Sequence, residues 1–212
     1  MNPLFNYTLK LADDTLIFGQ RLGELCGQGP YLEEDIALTN IALDYLGQSN
    51  NFYKYAAQIQ DLGKTEDDLA FLRLEKEYLN CQLSELPNGD YANTIMKVYF
   101  FSVYQKILYT ELMKSSDVQL SGIAEKSLKE VKYHYTHTST WLKMFAGGTE
   151  ESKTRVKNAV ENLWEYTGGM FAETSGEADL AKLEILPNGK DIQELWTKTV
   201  TEDFQNFGIE IP

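Results

Sequence analysis

The sequence predicts an all-α protein built as an up-and-down bundle of long helices, and three observations carry that reading. Apolar residues recur every three or four positions over stretches of more than twenty residues. The breakers, 5 Pro and 15 Gly, fall mostly in a few clusters, at Gly27-Gln28-Gly29-Pro30, Pro87-Asn88-Gly89, Gly147-Gly148 and Pro187-Asn188-Gly189. No run alternates apolar and polar residues in the period of two that a half-buried strand requires.

Helices are expected over residues 4–26, 31–61, 66–85, 91–114, 118–146, 150–173 and 190–206. The first runs unbroken to the Gly27 cluster. In the second, Leu32, Ile36, Leu43, Leu46 and Tyr53 form an apolar seam that Asn40 and Asn50 interrupt. The third opens on Thr65-Glu66-Asp67-Asp68, an N-cap followed by an acidic first turn that suits the positive end of a helix. Gly89-Asp90-Tyr91 opens the fourth in the same way, and Tyr91, Ile95, Val98, Ser102, Gln105, Leu108 and Leu112 give its seam. The aromatic residues Tyr99, Phe100, Phe101, Tyr104 and Tyr109 lie on more than one side of that helix, which makes it either central or covered by a partner. The fifth is the clearest. Leu120, Ala124, Leu128, Val131, Tyr135, Thr138, Leu142 and Phe145 run down one side to a stop at Gly147-Gly148. Gly148-Thr149-Glu150-Glu151 caps the sixth. Four of these helices are about 35–45 Å long at ~1.5 Å per residue. The shorter helix inserted between residues 61 and 91 permits a crossover, as in ferritin-like bundles. The expected architecture is a ferritin-like four-helix bundle with flanking helices, one domain over 1–212, with the sparser segment 174–212 wrapped outside.

Charge narrows the function classes. With 19 Lys plus Arg against 32 Asp plus Glu, the formal net charge is −13, and the isoelectric point is near 4.6. Nucleic acid and anionic membrane surfaces both demand a basic face, so neither is an expected partner. No apolar run approaches the roughly 18 residues of a membrane span. Asp13 and Asp14 fall where the apolar stretch of a secretory signal would lie. Two cysteines without C-x-x-C spacing, Cys26 and Cys81, are expected to be small apolar fillers in a cytoplasmic protein.

A ferritin-like bundle raises the question of a di-iron centre. Such a centre takes a Glu from each of two helices and a Glu-x-x-His from each of the other two. This chain has 2 His, His134 and His137, and both lie on the helix 118–146. Neither follows a carboxylate at i−3, so the usual ligand set is not met and no metal is expected. A mononuclear site using His134, Glu130 and a distant acid is the lesser alternative. Ser127, Glu130, His134, His137 and Trp141 instead form a polar stripe beside the apolar seam. Ala37, Asn40, Asp44, Gly47 or Gln48, and Asn51 form a comparable one on 31–61. These stripes are read as a self-satisfied network, with Glu130, His134, Asp44 and Gln48 at the position a metal would take, because an unpaired buried charge is costly. Glu130 and His134 at i, i+4 can pair. No catalytic residue is assigned. Phosphate loops of the G-x-G-x-x-G or G-x-x-x-x-G-K kind and the G-x-S-x-G elbow are absent from the sequence.

The run YTLKLADDTLIFGQRLGELCGQGPYLEEDIALTNIALDYLGQSNNFYKYAA, with LPNGDYANTIMKVYF and SLKEVKYHYTHTSTWL, resembles the C subunits of bacterial multicomponent phenylacetyl-CoA ring epoxidases. The resemblance covers nearly the whole chain. It is most specific in Gln20 to Gly27, Leu43-Asp44 and Leu46-Gly47-Gln48. It implies a ferritin-like subunit that has lost its metal centre and supports a catalytic di-iron A subunit, in a complex with a reductase and small subunits that epoxidises the aromatic ring of phenylacetyl-CoA. Glu130 and His134 match the E-x-x-x-H segment of that family. The resemblance also implies that the CoA ester lies near the A–C contact, bordered here by Glu77, Tyr78, Leu79 and Asn80 and by Ala178, Asp179 and Leu180. It implies a terminal arm beyond the position of Pro212. A homodimer in isolation is a further form the chain could take. Two rivals stand beside this reading: a metal-dependent ferritin-like oxidase in its own right, and an unrelated helical adaptor.

Overall fold

The computed structural model describes residues 2–211, which hold nine α-helices and no strand. Four long helices carry the architecture: α1 (Pro3–Gly23), α2 (Leu32–Gln60), α5 (Tyr91–Leu112) and α6 (Val118–Ala146). α1 and α2 form one antiparallel hairpin, α5 and α6 the other, and the two hairpins pack face to face. Phe18 of α1 stacks on Phe101 of α5 at 4.4 Å between centroids, and Tyr45 of α2 closes the same aromatic cluster.

Local chemistry sets the helix starts. The Asp90, Asp117 and Thr149 side chains accept from the backbone N–H three residues on, and Thr65 with Asp68 makes a reciprocal capping box. α5 is apolar all round and buried on every side, including all five aromatic residues noted from the sequence. Its outer side is covered by α7 (Glu150–Leu163) and α9 (Gly189–Phe207). Ile192, Trp196, Val200 and Phe204 of α9 form an i, i+4 seam against α5, and Trp196 Nε1 donates to the Phe100 carbonyl at 3.1 Å.

Several expectations are corrected. Residues 66–85 do not form one helix. They break into α3 (Glu66–Phe71), a 3-10 turn (Glu75–Glu77) and α4 (Gln82–Glu85). The backbone N–H groups of Leu79 and Cys81, which would otherwise feed a helix, donate to Asp13 and Asp14 of α1 at 2.8 and 2.6 Å. The helix over 150–173 gives way after Leu163 to a 3-10 segment (Trp164–Phe171), whose end is held by Lys10 Nζ donating to the Met170 and Ala172 carbonyls. A short helix, α8 (Glu177–Lys182), was not anticipated. On α2 the expected apolar seam points outward in its first part, while Leu46 packs against the core and Tyr53 lies within it. Leu32, Ile36 and Leu43 are 71, 51 and 58% exposed, while Leu38, Ile41, Tyr45, Phe52 and Ala56 form the core face. Cys26 is exposed rather than a filler; Cys81 is buried.

Candidate functional site

α2 and α6 run antiparallel and meet through two cross-helix pairs. The Asp44 carboxylate lies 2.9 Å from His134 Nε2, and Gln48 Nε2 donates to Glu130 Oε2 at 3.0 Å. Each helix supplies its pair at i, i+4, so one face of each meets the other in register. The structure thus brings together Asp44, Gln48, Glu130 and His134, but Glu130 and His134 do not bond each other. Each partners α2. A carboxylate only accepts, so His134 Nε2 is the donor of that pair. From Gln48 the network continues into α5: Tyr109 donates to Gln48 Oε1 at 3.2 Å and receives a bond from Gln105 Nε2 at 3.0 Å.

Burial grades sharply across this seam. His134 and Gln48 are sealed, the Asp44 side chain is 33% exposed, and Glu130 is half-buried. Burial raises the Glu130 carboxyl above its ordinary range, and the nearby Asp44 charge adds to this, while the Gln48 bond opposes it. Further along, His137 Nε2 lies 3.1 Å from Glu34 Oε2, and Glu34 also accepts from the Tyr91 hydroxyl. Burial lowers the His137 ring below the usual histidine range against the opposing pull of Glu34.

The donor set does not match a di-iron centre. Of the four grouped residues only Asp44 and Glu130 are acids, Gln48 is neutral, and both histidines stand on α6 with their own carboxylate neighbours. Among the described residues, no three His, Cys, Asp or Glu side chains converge on a point where a metal ion would bind.

The other sequence-assigned segments lie elsewhere. Glu77 caps its own 3-10 turn by accepting from Leu74 N at 2.7 Å. The Tyr78 hydroxyl donates to the Ala70 carbonyl, and its ring lies 4.2 Å from the Arg73 guanidinium. Leu79 N donates to Asp13, and Asn80 donates to Ser84 and Glu85. Ala178, Asp179 and Leu180 belong to α8, where Asp179 pairs with Lys182 at 2.8 Å and Ala178 lines an open groove of about 500 Å³. Gly176, beside α8, packs on Pro3, whereas Leu79 meets Asp13. Ten residues of α1 separate these points, about 15 Å.

Sequence reading missed a second polar centre. Asp13 is fully buried and forms an ion pair with Arg73, whose side chain is 8% exposed. Asp13 also accepts from the Tyr53 hydroxyl at 2.5 Å and from Leu79 N. Burial raises the Asp13 carboxyl despite Arg73, which works the other way. Next to it, Asp14 accepts from Cys81 N, and burial pushes its carboxyl up to about 6, against the pull of Lys10. The signal was present in the sequence: two adjacent acids amid the apolar residues of the first helix, with Lys10 four residues before Asp14.

A family model described as "Phenylacetic acid catabolic protein" matches residues 1–212. The chain belongs to that family. Within the phenylacetic acid catabolic family it is similar to the C subunit of the 1,2-phenylacetyl-CoA epoxidase of Escherichia coli (strain K12). The two are 39% identical over 212 residues, which is 100% of this chain and 85% of that relative. The match bears out the resemblance read from residues 7–57 and the two later blocks, and with it the all-α ferritin-like fold. Among the described residues no helix is long and apolar enough to cross a membrane.

Proposed function

We propose that the chain is a structural subunit of a multicomponent di-iron oxygenase that epoxidises the aromatic ring of phenylacetyl-CoA. It carries no metal of its own and scaffolds the catalytic A subunit. The single observation behind the metal-free part is the α2–α6 seam, where Asp44 is bound to His134 and Glu130 to Gln48, so both acids of that seam are already engaged by a neighbour. The assembly part is supported by the 39% identity to a protein named as a subunit of such an epoxidase. The chain's contribution is rigid support that holds a partner's site in place. The reductase and small subunits complete the assembly, in the cytoplasm, with the CoA ester near the contact with A.

The test is co-expression with a candidate di-iron A subunit, followed by separation of the chains and metal analysis of each. The expected result is a stable complex with iron on the A chain and almost none on this one. Near-stoichiometric iron or manganese on this chain would establish the oxidase reading instead. A monodisperse chain indifferent to the A subunit would favour the free-standing adaptor.

A further inference from the structure

The outward side of α2 and α6 is built unlike the rest of this acidic surface. On α2, positions 32, 36, 40, 43, 47, 50 and 54 are all exposed and lie on one helical face. They read Leu32, Ile36, Asn40, Leu43, Gly47, Asn50 and Lys54, a face more than thirty Å long (about 1.5 Å per residue) whose one neighbouring exposed acid is Glu33, in the first turn. On α6, the exposed positions 118, 122, 126, 129, 133, 136, 140 and 144 follow the same helical rhythm, and the only charges among them are Lys126 and Lys129. A chain with 32 acids and 19 bases would be expected to place acids on a merely solvated face.

The cross-helix register joins the two faces into one surface. Asp44 opposite His134 and Gln48 opposite Glu130 fix which residues stand level. Tyr133 is level with Leu43 to Gly47, and the Glu34–His137 contact brings the first turns of α2 against the same helix. Tyr133 and Met144 are 50 and 58% exposed. One end of the surface is therefore apolar, and the other carries Lys54, Lys126 and Lys129. The acids along the seam, Asp44 and Glu130, are taken by His134 and Gln48. Exposed apolar residues gathered in this way mark a contact surface.

A second copy is a poor occupant. A two-fold contact sets the same face against itself. With the helices turned either way, Lys126 and Lys129 would then meet either one another or a largely apolar end, while Lys54 already pairs with Glu66 of its own chain at 3.8 Å. The net charge of −13 adds repulsion between copies. We propose that this α2–α6 face is the docking surface for the partner oxygenase subunit. It meets a helical face of that subunit that is apolar opposite Leu32, Ile36, Leu43 and Tyr133 and carries carboxylates opposite Lys126 and Lys129. This rests on the reading of the chain as an assembling subunit.

The experiment uses the full chain co-expressed with the candidate A subunit, with titration of the purified chains against each other. Ile36→Asp with Leu43→Asp weakens binding by at least about tenfold, as truncation of a buried apolar anchor does. Lys126→Glu with Lys129→Glu weakens binding severalfold and removes the fall in wild-type affinity with added salt. Both double variants keep the melting temperature and the monomeric mass of the isolated wild-type chain, because every substituted side chain is exposed. Wild-type affinity in both variants overturns the surface while leaving the subunit reading intact. A wild-type dimer that the apolar variant dissolves overturns the choice of occupant. A wild-type chain that fails to bind the A subunit overturns the subunit reading itself, and this proposal with it.

Discussion

The two polar centres of the bundle make an instructive pair. At Asp13–Arg73–Tyr53 an acid on α1 is sealed against the strap between α2 and α5, and its partner is a full cation. At Asp44–His134 and Glu130–Gln48 the partners are an imidazole and an amide, and the two acids keep partial access to solvent. Asp13, fully buried, is met by a full counter-charge, whereas the two acids at the half-open seam are met by an imidazole and an amide. The first centre ties a wandering segment to the bundle. The second holds two long helices in register beneath the exposed surface they share.

That contrast breaks first at Arg73. Arg73→Ala leaves Asp13 buried and unpaired, with an expected loss of about 3–5 kcal/mol in denaturant unfolding; a loss below about 1 kcal/mol would show that the α1 centre is not sealed. Next is the protonation of Asp14. Its folded carboxyl titrates at about 6, above the ordinary value of 3.8, so the folded state binds more protons between those two values. Its contribution to stability is fully present below about pH 3.8 and is lost as pH rises through about 6, a swing of roughly 3 kcal/mol. Stability curves of wild type and Asp14→Asn should therefore diverge by that order across this window, and parallel curves would refute the burial of Asp14.

At the half-open seam the effects are smaller. Asp44→Ala strands the buried Nε2–H of His134 and should cost about 1–3 kcal/mol. Glu130→Ala should cost less, because the group it releases is the Gln48 amide. The ordering, measured as shifts in denaturation midpoint, is the informative result. The smallest effect is chemical. A thiol reagent should modify exposed Cys26 in the native protein, while Cys81, buried with its thiol pushed up by desolvation and the Asp14 charge, reacts only on unfolding.

Much of the bundle was readable from the sequence because it rests on local rules. Apolar spacing on α6 and capping at Asp90, Thr65 and Thr149 need only neighbours in the chain. The polar stripes also held the members of the α2–α6 seam, though not their pairing. Glu130 and His134 sit at a spacing that permits a bond along α6, yet each finds a better partner across the interface. Residues 66–85 misled because their amide groups are claimed by Asp13 and Asp14, some sixty residues earlier in the chain. On α2 the error had a different source. Leu32, Ile36 and Leu43 have the spacing of a core stripe, and nothing local distinguishes a stripe facing the core from one facing outward.

The cover of α5 has a consequence for the birth of the molecule. Phe100 and the Trp196 that caps its carbonyl are 96 positions apart. At typical elongation speeds the ribosome needs roughly 5–20 s to travel that distance. Until that interval ends, the outer sheath of this apolar rod lacks α9. A premature stop ahead of Ile192 would leave the α9 side of the rod bare for good, with only α7 in place.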